Sequence, residues 1–174
     1  MDAEVAPPLS LAIAYWLHLL ATVIWVGGLA ALAVIVLPAA RLSLDAAAYS
    51  ALLARLQTRL QQVGWFCLAV LGVTGMFQMS SHPAYAGFLA ITNNWALAIF
   101  AKHIVIGLMV VVSAYVTFGV LPAMQRTALL RAAGREVSPE QVRRLEQRET
   151  LMLNANLALS VIVLLLTALA RSFS

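Results

Sequence analysis

Between Leu9 and Leu37 the chain carries no Asp, Glu, Lys or Arg, and its only ionisable side chain of consequence is His18. Crossing about 30 Å of hydrocarbon takes roughly 20 apolar residues in a helix, so this run is long enough to span a bilayer. It is also too long for the apolar core of a secretory signal, and the preceding MDAEVAPP lacks the basic residues of a signal's start. A retained helix is expected. Three further apolar stretches follow at about Val63–Ser80, Trp95–Leu121 and Leu151–Ala170. A segment in lipid must satisfy its own backbone polar groups, which helices do. The expected fold is all-α: an integral membrane up-down-up-down four-helix bundle forming one domain over residues 1–174. Its helices fall at about 9–37, 45–80, 94–122 and 139–171, the second and fourth extending into the cytoplasm.

Composition agrees with this reading and excludes a soluble one. Hydrophobic residues make up 63% of the chain and charged residues 10%, too few charges to cover a water-soluble domain of 174 residues. Mean hydropathy is +0.91 and the isoelectric point about 9.8. The basic balance comes from loop arginines without interleaved aromatics, so no nucleic-acid partner is expected. Arg41, Arg55 and Arg59 flank Asp45 in the first loop. Arg126, Arg131, Arg135, Arg143, Arg144 and Arg148 occupy the third, offset by Glu136, Glu140, Glu146 and Glu149, while the second loop, from Ser81 to Asn94, is uncharged. Basic loops stay inside, which puts both termini on the outer side of a bacterial inner membrane, with Trp16, Tyr85 and Trp95 near the outer interface. Ser138-Pro139-Glu140-Gln141 has the form of a capping box, Asp45 suits a helix start, and Leu52, Leu53, Leu56 and Leu60 form an apolar stripe. Cys67 reads as a packing residue, and no internal repeat is expected.

Function in such a bundle is sought among the groups that lipid penalises. His18 follows Leu9 by nine residues and His103 follows Trp95 by eight, on helices that run the same way in this topology. At ~1.5 Å per residue both rings lie roughly 12 Å below the outer surface. Diagonal helices about 12–14 Å apart suit a haem with one axial imidazole on each side better than a small ion. Lys102 would snorkel outward or meet a haem propionate or anionic substrate, and Gly107, one turn below His103, would leave room. An alternative site is Met76, Met79 and His82 at the outer end of the second helix, a thioether and imidazole set that suits copper. Asn154, Asn156 and Ser160 read as hydrogen-bonding groups between helices.

The run from His18 through Trp25 to Gly27-Gly28-Leu29 resembles the first helix of the CopD copper-resistance family, as do Val73-Thr74-Gly75-Met76 and the Lys102-containing start of the third apolar stretch. The likeness covers about residues 10–124, and the chain looks like a short, four-helix form. The first-helix histidine and third-helix lysine are also similar to HemJ-type protoporphyrinogen oxidases, which bind haem b, although Leu37-Pro38-Ala39-Ala40-Arg41 does not match the pattern that follows their first helix. The resemblance implies His18 as a haem ligand and Lys102 as a residue needed for activity. With the depth argument, the expectation is haem b at His18 and His103, with Trp25, Lys102 and Gly107 as further cofactor-binding residues, in electron transfer near the outer face; copper transport and a porphyrinogen oxidase activity are the alternatives. Its partners would be the lipid bilayer and a redox protein or quinone, and it is compatible with a homo-oligomer.

Overall fold

The computed structural model describes residues 9–83 and 85–173, so the Lys- and Arg-free segment ahead of Leu9 lies outside the described residues. Four helices long and apolar enough to cross a membrane are present: Leu9–Ser43, Ala48–Ser80 within a helix that starts at Ala46, Asn94–Arg131, and Pro139–Ser172. The protein is an all-α, four-helix, multi-pass membrane bundle. Apolar side chains such as Val23, Phe66 and Phe118 are exposed along its outside, as a surface facing lipid requires.

The first and third helices run past the points where proline would be expected to stop them. Pro38 and Pro122 lack an amide N–H, and each ring crowds the carbonyl one turn back. The chain answers with a wider turn in both places, π-helical from Ala31 to Val36 and from Val116 to Val120, immediately ahead of Leu37-Pro38 and Leu121-Pro122. The helices continue to Ser43 and Ala132 instead of ending near Leu37 and Pro122.

This device exposes a correspondence that the expectation of no repeat overlooked. Each of the two helices opens with an α-helical section of 22 residues, and each carries its histidine nine residues after the first. A π-helical stretch of 6 residues follows in one and 5 in the other. Both then read Val-Leu-Pro-Ala, at Val36–Ala39 and Val120–Ala123. His18 and His103 are therefore equivalent positions on two similar helices.

Contacts build the bundle from pairs of neighbours. The Gln78 amide donates to Ala14 O at 3.1 Å, the His18 ring meets Thr74 at 2.9 Å, Trp25 rests on Gly64, and Gly28 faces Leu60, so residue numbers fall along the second helix as they rise along the first. Asn156 donates to Ser113 Oγ at 3.0 Å, while Ala170 packs with Trp95, Ala96 and Ala98. Asn156 thus joins two helices, whereas Ser160 bonds back to Asn156 O and Asn154 is exposed. Trp65 Nε1 donates to Thr117 Oγ1 at 3.0 Å, linking the second and third helices. Arg41 donates to the Tyr49 hydroxyl at 2.9 Å and to Thr150 Oγ1 at 3.0 Å, tying the first, second and fourth helices together near the basic loops.

The main core gathers Trp25, Leu29, Leu53, Cys67, Met109 and Leu153, with Leu52, Leu56 and Leu60 packed against it. Helix starts follow local chemistry. Asp45 Oδ1 accepts from Ala48 N at 2.8 Å, and Asn93 Oδ1 accepts from Ala96 N at 2.8 Å. Ser138 precedes Pro139 as expected, but its hydroxyl makes no capping bond, and Glu140 pairs with Arg144 instead.

Leu53 is fully buried and Leu42 is 90% exposed, so the two leucines separate packing from composition. Leu53→Ala is expected to lower unfolding free energy by about 2–5 kcal/mol, with Leu42→Ala changing it by less than about 0.5 kcal/mol. Denaturation in mixed micelles measures both, and equal effects would contradict this packing.

Candidate functional site

The half of the bundle away from the arginine-rich loops contains the three ionisable groups singled out above. His18 is half-buried on the first helix, and its Nδ1 lies 2.9 Å from Thr74 Oγ1 on the second. The Thr74 hydroxyl proton is already committed, because Oγ1 donates to Val70 O at 2.6 Å. The ring must therefore donate from Nδ1–H, which leaves the lone pair on Nε2. The absence of a side chain at Gly75 lets the ring lie flat against the second helix, since a Cβ there would stand 3.3 Å from His18 Cε1.

His103 reaches the same protonation pattern by a different route. Its Nδ1 lies 2.7 Å from Ile99 O one turn back, and a carbonyl only accepts. Nδ1 again carries the hydrogen and Nε2 the lone pair. Phe88, from the uncharged loop, sets its ring edge-on to His103 with centroids 5.2 Å apart. Among the described residues neither Nε2 has a hydrogen-bond partner.

Counting residues from one shared contact puts the two histidines at a similar level. His82 stacks on Trp95, centroids 4.2 Å apart and planes within 8°, which joins the end of the second helix to the start of the third. Eight residues inward from His82 is Thr74, the partner of His18, and eight inward from Trp95 is His103. Both counts descend about 12 Å at ~1.5 Å per residue. Lys102, next to His103 in the chain, is half-buried and has no acid partner among the described residues. His18 thus sits in the seam with the second helix through Thr74, and His103 under Phe88 on the third.

The remaining candidates are placed differently. Trp25 is buried two turns inward, its indole beside Gly64, in the seam between the first and second helices. Gly107 is exposed and has open space where a Cβ would stand. Met79 is buried with Trp95 and Ala170, whereas Met76 is 60% exposed, so the two thioethers do not share an environment. His82 spends one face of its ring on Trp95. Among the described residues no three His, Cys, Asp or Glu side chains converge as an ion site. His18 and His103 each have Nδ1 anchored and Nε2 without a partner among the described residues, the state in which an imidazole can act as a ligand.

Two contributors escaped the sequence reading. Phe88 gives no signal, because its contact depends on how the loop folds back. Thr74 could have been found from its place in Val73-Thr74-Gly75, where a hydroxyl beside a glycine on an apolar helix offers an acceptor and room for a ring.

No protein-family model, no curated protein and no solved structure matches the chain. These comparisons tie the chain to neither the CopD nor the HemJ family.

Thr74→Val keeps the side-chain shape and removes the acceptor for His18 Nδ1–H. The expected cost is about 0.5–1.5 kcal/mol, with Thr74→Ser recovering most of it, measured by thermal unfolding in one detergent. A valine variant as stable as the parent would remove Thr74 from the site.

Proposed function

We propose that this protein is a haem b-binding membrane protein that passes electrons near the outer face of a bacterial inner membrane, with His18 and His103 as the axial pair. The observation that carries the proposal is the matched state of the two histidines. They occupy equivalent positions on two similar helices, at one level, each with Nδ1 anchored and Nε2 bearing a free lone pair. An isolated histidine that merely bonded a neighbouring carbonyl would need no such match.

The haem, when bound, supplies a one-electron couple whose potential depends on its axial ligands and burial. The chain supplies orientation. Thr74 and the Ile99 carbonyl hold the rings, Phe88 covers His103 from the loop side, and the Lys102 ammonium offers a counter-charge to a carboxylate or other anion arriving from outside. In this reading the helices alternate in direction, with the basic loops around Arg41 to Arg59 and Arg126 to Arg148 on the cytoplasmic side and both termini outside. The falling residue numbers across each helix pair support that alternation.

Purified protein expressed with ample haem should show a Soret band and a six-coordinate low-spin spectrum. His18→Ala and His103→Ala should each abolish the low-spin form. Colourless wild-type protein, or an unchanged spectrum in both variants, would overturn the reading. Stoichiometric copper without haem, lost on changing Met76 and Met79 to Leu, would replace it with copper transport.

A further inference from the structure

The inner half of the bundle holds an ionisable group that the outer site does not use. Glu149, expected among the loop charges, is fully buried on the fourth helix, and neither carboxyl oxygen has a hydrogen-bond partner among the described residues. It lies in the inward stripe Val142, Glu149, Leu153, Asn156 and Ser160. On the second helix Gln57 is 1% exposed, and its Oε1 also lacks a donor. Ala54 and Glu146 line one cavity between the second, third and fourth helices, and Gln57 and Glu149 each follow three residues further along. This level of the bundle therefore holds three unsatisfied acceptor oxygens. An ionised carboxyl cannot remain there without donors. A proton on Glu149 neutralises the group and turns one acceptor into a donor.

The counter-charge is at hand but engaged elsewhere. Arg41 and Glu146 are the charged groups that act on Glu149. The Arg41 guanidinium donates to Tyr49 and Thr150, and its Cζ stands 5.5 Å from the Tyr49 ring centroid. Thr150 is the residue next to Glu149, yet among the described residues no ion pair joins Arg41 to that carboxyl. From the third helix Arg131 reaches the cavity that Glu146 lines.

We propose that Glu149 is a proton-binding site in the inner half of the bundle, where the loaded acid leaves Arg41 on Tyr49 and Thr150 and the unloaded carboxylate draws Arg41 to itself. Unloading breaks the carboxyl O–H bond and passes the proton to water at the basic loops, with no electron transferred. The charge left behind is met by Arg41, which loosens the tie between the first, second and fourth helices. The site is independent of the haem reading, and either can fail without the other.

Infrared difference spectra of the full chain in lipid nanodiscs, recorded across a pH titration, test the proposal. The wild type should lose a protonated-carboxyl C=O band as pH rises, and Glu149→Gln should lack that band while keeping its helical circular dichroism. Arg41→Gln should move the band's midpoint to higher pH by about one unit or more, because it removes the cation that favours the ionised form. If the glutamine variant does not accumulate, Glu149→Asp should shift the band's frequency and midpoint. Identical difference spectra in wild type and the Glu149 variant, or an unmoved midpoint in Arg41→Gln, would overturn it.

Discussion

A polar hydrogen inside a bilayer has no water to bond, and that constraint organises the bundle. The hydroxyls meet it locally. Thr22, Thr58, Thr74, Thr117, Thr127, Ser160 and Thr167 each donate to a carbonyl one turn back on their own helix. Because they are satisfied this way, they place few demands on neighbours. The groups left over are larger or charged and must find partners across helices or bind something. Arg41, Trp65, Gln78 and Asn156 take the first course; Arg41 ties three helices and each of the others joins two. Among the described residues His18 and His103 have one ring nitrogen bonded, and both Glu149 carboxyl oxygens have no partner. Polar groups left so in a membrane bundle are where function is sought.

The satisfied hydroxyls also determine how the histidines behave. Thr74 has one hydrogen, and spending it on Val70 O makes its oxygen a pure acceptor toward His18. A carbonyl does the same for His103. Both rings are thereby held in one tautomer by partners that cannot donate. The two proline-bearing helices supply the matched placement, since their α-helical sections have equal length and each accommodates Val-Leu-Pro-Ala with a π-helical stretch.

Much of the fold was legible in the sequence because hydrocarbon thickness is a simple ruler: the four apolar runs correspond to four helices. The start after Asp45 follows from a side chain that caps within one turn, and the start at Pro139 from proline at the first helical position, without the expected Ser138 cap. The ends expected near 37 and 122 fell short, because they followed the apolar runs, whereas a π-helical stretch ahead of each proline keeps the helix going past Pro38 and Pro122. His18, Lys102 and His103 stood out by polarity. Their partners Thr74 and Phe88 depend on register between helices and on loop folding, which a single chain pattern does not encode. Glu149 was hidden among neighbouring charges, although its spacing from Val142, Leu153 and Asn156 puts it on the buried stripe.

The claim on which the outer site depends is that His18 and His103 share one depth. Spin labels on His18→Cys and His103→Cys, each in a Cys67→Ala background, report depth in a bilayer through their relative accessibility to dissolved oxygen and to a water-soluble nickel chelate. The account predicts depths that agree within about one helical turn, ~5 Å, both in the outer half of the membrane. Labels separated by two turns or more, or lying in opposite halves, would contradict it.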